Sequence, residues 1–213
     1  ATRLAVQIGE LDSAHAHLSE LSIGQPRLEI LFCTIESGAL IQAGYQNKAK
    51  DLLDRSLNKY PNEADLLFAR VLLFDSLGNK SESEKDLKQI IRMRPEDSRA
   101  LNHLGYMLAD QTDRYEEALE LIERAIAISP DDPAIIDSLG WAQFKLGRYE
   151  EALSNLRRAY SAFPDAEVAS HVGEVLWIMG REQEATEVWR GALEKQPDND
   201  LIRAVVDRLK ADL

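Results

Sequence analysis

The chain has 213 residues, 45% of them apolar and 29% charged, a mix that suits a folded protein rather than a disordered tail. Acidic residues outnumber basic ones 37 to 25, and the resulting charge of -12 is uneven: residues 1–97 sum to -3 (12 basic, 15 acidic) and residues 98–213 to -9 (13 basic, 22 acidic). Such a surface repels phosphate, which argues against nucleic acid and anionic lipid headgroups as partners, and no stretch approaches the roughly 20 apolar residues that cross a bilayer or reads as a signal peptide.

A small residue followed twelve positions later by proline recurs along the chain as Ala14/Pro26, Ala49/Pro61, Ser83/Pro95, Ala118/Pro130, Ala152/Pro164 and Ala185/Pro197, at steps of 35, 34, 35, 34 and 33 residues. Self-similarity at such a period marks a solenoid of supersecondary units. A glycine five residues before the small residue recurs as Gly9, Gly44, Gly78, Gly147 and Gly180. It predicts a tight helix–helix connection whose positive φ costs glycine little. The stretch "ADQTDRYEEA" lacks this glycine and is one residue longer, so its loop is expected to be extended. Each unit closes on proline and polar residues, as in "SPDDPA", where Asp132 suits an N-cap and Pro133 the first helical position.

In chain order the period predicts a partial hairpin at 1–28 with a truncated first helix, then helical hairpins at 29–63, 64–97, 98–132, 133–165 and 166–199. The first helices of 29–63 and 64–97 are degenerate. Residues 200–213, "DLIRAVVDRLKADL", place Leu201, Ile202, Val205, Val206 and Leu209 on one helical face, with Arg203, Asp207, Lys210 and Asp212 elsewhere, as expected of a helix covering the last repeat. The same register puts Ala1 at position 7 of a unit, inside a first helix. The natural chain is therefore expected to continue upstream, and the C-terminus to be the natural one.

The stretch "PAIIDSLGWAQFKLGRYEEALSNLRRAYSAFPDA" carries the resemblance to the tetratricopeptide repeat family. With Pro133 at position 1, Leu139 and Gly140 fall at 7 and 8, and Ala152, Leu156, Ala159 and Pro164 at 20, 24, 27 and 32. Leu104/Gly105 and Val172/Gly173 repeat the pattern in the neighbouring units. The resemblance covers the whole chain and implies an all-α, right-handed superhelix, an α-solenoid of about six helical hairpins. It also implies that positions 2, 5, 9 and 12 of each first helix line a concave groove. Those positions hold Arg99, Asn102, Tyr106 and Ala109, then Ala134, Asp137, Trp141 and Phe144, then Glu167, Ser170, Glu174 and Trp177. Trp141 and Trp177, among Asn102, Asp137, Ser170 and Glu174, read as anchors for an extended or helical protein segment. Phe144 fits ligand contact and packing equally, whereas Trp189, at position 24 of a second helix, reads as core. The family's clamp for acidic C-termini uses lysine, asparagine and arginine, whereas positions 5 and 9 here hold Asn102, Tyr106, Asp137, Trp141, Ser170 and Glu174, so capture of an acidic C-terminus is not expected. The acidic groove with aromatic anchors points instead to protein partners with basic or apolar segments.

No catalytic motif is present: no H-E-x-x-H, G-x-S-x-G, phosphate-cradling glycine loop or C-x-x-C. His15 and His17 point apart on a helix, His103 and His171 sit at position 6 of different units, and none reads as a metal ligand. Paired acids such as Glu116/Glu117 and Glu150/Glu151 suit helix starts. Cys33 reads as a small buried residue, and alone it forms no internal disulfide. No cofactor, metal or catalytic residue is expected. The segment "ALNHLGYMLADQTDRYEEALELIERAIAISPDDPAIIDSLGWAQFKLGRYEEAL" resembles the C-terminal repeats of proteobacterial tetratricopeptide lipoproteins. That resemblance implies a periplasmic scaffold, anchored to the outer membrane through a missing N-terminus, or otherwise a cytoplasmic one. It implies an adaptor that binds a carboxyl-terminal processing protease and delivers substrates such as cell-wall hydrolases. The alternative is a structural or self-assembling scaffold of an envelope complex.

Overall fold

A computed structural model of the protein describes Glu20 and residues 24–211. Gly9, Ala14, His15, His17, Asp212 and nearly all of the expected partial hairpin at 1–28 lie outside the described residues. The chain divides into two compact units, Ala1–Pro95 and Glu96–Leu213. Among the described residues all regular structure is helical.

The first unit contains α1 (Pro26–Gln42), α2 (Gln46–Lys59), α3 (Ala64–Ser76) and α4 (Lys80–Met93). The second contains α5 (Ser98–Gln111), α6 (Tyr115–Ile128), α7 (Pro133–Lys145), α8 (Tyr149–Ala162), α9 (Ala166–Ile178), α10 (Glu182–Lys195) and α11 (Asp200–Leu209). The helix α1 begins at Pro26, ahead of the hairpin start expected at 29, because Pro26 takes the first helical position, where its missing N–H costs nothing. Within each unit the strongest pairings are α1 with α2, α3 with α4, α5 with α6, α7 with α8 and α9 with α10. These are stacked helical hairpins of the tetratricopeptide type.

Local chemistry sets the turns. Gly44, Gly78, Gly147 and Gly180 all adopt positive φ, between 70° and 81°, at the connections inside hairpins. A side chain is strained there, so the recurring glycine reports a backbone requirement. Between α5 and α6 the glycine is missing and Thr112 replaces it in an extended conformation. Its hydroxyl donates to the Leu108 carbonyl at 2.6 Å and accepts from the Arg114 N–H at 3.1 Å. Asp97, Asp132, Asp165 and Asn199 cap α5, α7, α9 and α11 through their side chains, each satisfying a backbone donor the helix leaves free.

The hairpins close because one helix is small where its partner is large. A Cβ added at Gly105 would lie 2.5 Å from Ile122, one at Gly140 2.6 Å from Leu156, and one at Gly173 2.1 Å from the Trp189 indole nitrogen. Glycine at position 8 thus sets the distance between the two helices of a hairpin. Trp189 is fully buried in the core shared by α7 to α11, in keeping with its reading as core. In the first unit Cys33 is buried too, and burial pushes its thiol pKa up, away from reactivity. Arg70 meets the buried Asp86 with two hydrogen bonds, of 2.7 and 2.9 Å, between α3 and α4.

In the second unit the first helices form a row, α5 beside α7 and α7 beside α9. The helix α11 packs against α9, covering the side that a further first helix would take. Ile202 and Val206 are buried there, and Val205 and Leu209 pack partly buried against the core. Leu201 departs from the expected apolar face: it stands 55% exposed at the start of α11, one residue before the buried Ile202.

Candidate functional site: the face of α5, α7 and α9

The row α5, α7, α9 carries every residue that the sequence marks for the groove. Several are closed by contacts between neighbouring repeats. Trp141 is 4% exposed. Its ring stacks on His171 at 4.1 Å and 20°, lies 5.1 Å from Phe144, and carries the Lys145 ammonium at 4.8 Å on a face. Its indole N–H points at Asp110 Oδ1, 3.3 Å away. Trp141 is therefore a packing residue between α7 and α9, and its reading as an open anchor is corrected.

Asp137, Ser170 and Glu174 are also buried, which corrects their reading as accessible polar contacts. His171 Nδ1 sits 3.0 Å from both Asp137 carboxylate oxygens. Arg208, reaching back from α11, donates to Glu174 at 2.6 Å. The Ser170 carbonyl faces the Trp189 indole N–H at 3.5 Å. Phe144 and Trp177 are half-buried and pack against the core, Trp177 with its ring 5.9 Å from that of Trp189.

Asn102 and Tyr106 stay at the open edge of the face. The Tyr106 hydroxyl donates to Glu167 Oε1 at 2.8 Å, tying α5 to α9 across α7. Burial, with the charges of Glu167 and Asp110, drives the Tyr106 pKa far above the ordinary phenol value, so the hydroxyl stays a neutral donor. Asn102 Oδ1 is sealed from solvent with no donor.

A cavity of about 240 Å³ opens beside these residues. Asn102, Tyr106 and Asp137 are the predicted site residues in its wall; Trp141, Phe144, Ser170, Glu174 and Trp177 lie outside it. Sequence reasoning missed Phe163 in the cavity wall and the pairing of His171 behind Asp137. Phe163, 59% exposed in the connection after α8, forms one wall but has no place in the periodic groove positions. Ala134 and Glu167, at position 2 of α7 and α9, are placed on the groove by the sequence but not singled out as contacts, and both line the cavity. His171 is not an ordinary packing residue, since it pairs with an aspartate 34 residues away. That separation is one repeat period, and it is the signal that could have found the pair.

The electrostatics of the face are acidic at the cavity. Asp137, Asp165 and Glu167 line it, and no lysine or arginine does. Burial pushes the His171 pKa down, but the hydrogen bond to Asp137 and the charges of Asp137, Glu167 and Asp110 outweigh it and leave the pKa raised. Among the described residues, no group of three histidine, cysteine or acidic side chains could hold a metal ion. Nor is any described helix long and apolar enough to cross a membrane.

Two tetratricopeptide repeat family models match the chain, over residues 68–133 and 111–173. The "TPR repeat-containing protein PA4667" of Pseudomonas aeruginosa is 41% identical over 173 residues, 81% of this chain and 29% of that protein. "Bacteriophage adsorption protein A" of Escherichia coli is 31% identical over 103 residues, 48% of this chain and 10% of that protein. The chain thus spans less than a third of the length of either curated relative. The crystal structure of TTC0263, a thermophilic TPR protein of Thermus thermophilus, superposes with a TM-score of 0.72 at 23% identity, over 85% of this chain and 99% of that one, a likeness of fold. Residues 68–173 are tetratricopeptide repeats by sequence, and the helical hairpins on either side of them carry the same fold.

Proposed function

We propose that the chain is a non-catalytic adaptor, whose second unit holds an extended protein segment along α5, α7 and α9. Tetratricopeptide repeats mediate protein–protein interaction, and the observation that carries the reading here is the open cavity beside the exposed Phe163 ring. Aromatic rings, phenylalanine included, are enriched at protein interfaces, and an exposed one beside a cavity gains most when a partner buries it. On the resemblance of the C-terminal repeats to those of proteobacterial lipoproteins, the partners are a periplasmic carboxyl-terminal processing protease and its substrates, such as cell-wall hydrolases. Holding both on one scaffold makes their encounter effectively intramolecular.

Purified protease and hydrolase, with and without the chain, test this directly. The chain should accelerate hydrolase loss about tenfold or more, the scale that tethering supplies. Phe163→Ala should remove most of that gain while leaving the helical signal intact. A chain that self-associates but leaves proteolysis unchanged would identify the structural scaffold instead.

A further inference from the structure

We infer that the cavity between α5, α7 and α9 receives a long cationic side chain, lysine or arginine, of the bound segment. This rests on the reading of the face as a segment-binding one and adds the chemistry of its anchor. The volume, about 240 Å³, falls below the roughly 300 Å³ at which small-molecule and cofactor pockets begin, and suits a single side chain. Phe163, Val168 and Ala134 give it an apolar wall and Asp137, Asp165 and Glu167 an acidic one, with the polar Asn102, His103, Tyr106 and Ser138 also lining it.

An aliphatic side chain would satisfy the apolar wall and leave Asp165 and Glu167 without a counter-charge, whereas Asp137 already meets His171. A carboxylate would meet the like charges of Asp165 and Glu167. The two helix N-termini at the cavity offer it no compensation, because Asp132 and Asp165 already occupy them, accepting from the Ala134 and Glu167 N–H groups at 2.9 Å each. A side chain with an apolar stem and a cationic head satisfies both walls. The exposed Phe163 ring adds a face on which a guanidinium or ammonium can rest. Glu167 is exposed and receives only a neutral donor, Tyr106, on Oε1, so its charge is available to a ligand. Asp137 sits deeper, with His171 behind it.

The test uses the full chain labelled with ¹⁵N and four blocked pentapeptides, Ala-Ala-X-Ala-Ala, with arginine, lysine, norleucine or glutamate at X. The arginine or lysine peptide should move the amide signals of Ala134, Phe163 and Val168 and bind about tenfold more tightly than the norleucine peptide, as hydrogen bonds to charged groups allow. The glutamate peptide should leave those signals in place. Glu167→Gln retains the acceptor for Tyr106 while removing the charge, and should weaken the cationic peptide about threefold, the scale of one exposed ion pair. Norleucine binding as tightly as arginine at the same amides overturns the cationic anchor and leaves segment binding standing. No movement of those amides by any peptide up to about 10 mM overturns the side-chain pocket itself. The adaptor reading is judged separately, by the proteolysis assay.

Discussion

Replacing Trp141 by alanine separates packing from binding on this face. The indole is 4% exposed, stacks on His171 at 4.1 Å, lies 5.1 Å from Phe144 and points its N–H at Asp110. Truncating a buried tryptophan costs about 3–5 kcal/mol in lost burial and residual cavity. The stacked pair is already part of that figure, and the 3.3 Å contact to Asp110 is too long to add much. For a chain of this size each kcal/mol lowers the melting temperature by about 2–4 °C, so Trp141→Ala should melt roughly 6–20 °C below wild type. Phe163→Ala is the control: the ring is 59% exposed, and surface changes of this kind stay within about 0.5 kcal/mol, or 2 °C. Circular dichroism at the helical minimum reads both. Trp141→Ala melting within about 2 °C of wild type would refute the packing role and return Trp141 to the list of open anchors.

Gly173→Ala should destabilise by about 1–3 kcal/mol, because its Cβ would lie 2.1 Å from an indole that is fully buried and cannot swing away; denaturant melts check it. Arg70→Met should cost about 3 kcal/mol by leaving Asp86 buried without its counter-charge, and Arg70→Met with Asp86→Leu should recover part of the loss; urea unfolding of both variants compares them. The raised pKa of His171 has a defined sign for stability. Its imidazolium contributes fully below the unfolded value of about 6.5, and the contribution is lost as pH rises through the higher folded value. Wild type should therefore lose melting temperature above about pH 6.5 relative to His171→Gln, which keeps polarity without titrating; parallel curves for the two would count against the ion pair.

The repeat architecture is legible in the sequence because it follows from backbone and volume requirements that recur with the period. Gly44, Gly78, Gly147 and Gly180 mark positive φ, and Gly105, Gly140 and Gly173 mark the close approach of Ile122, Leu156 and Trp189. The single missing loop glycine is legible as an absence, but its replacement by the hydroxyl of Thr112 is not, since that depends on two local hydrogen bonds. The groove was legible as a set of positions and not as a set of open side chains. Trp141 at position 9 looks available until His171 of the next repeat lies over it, and Glu174 looks available until Arg208 arrives from α11. Both closures come from neighbouring helices of the second unit, made by side chains outside the groove positions. Phe163 escaped for the opposite reason: it belongs to a connection, where helical periodicity assigns no face.

A photo-crosslinking residue placed at 163, on the cavity wall, or at 190, on the exposed surface of α10, tests the central claim most directly in the presence of the proposed protease and substrate. The account predicts adducts with one of these proteins from 163 and none from 190. Adducts from 190 alone, or only between copies of the chain, would contradict it.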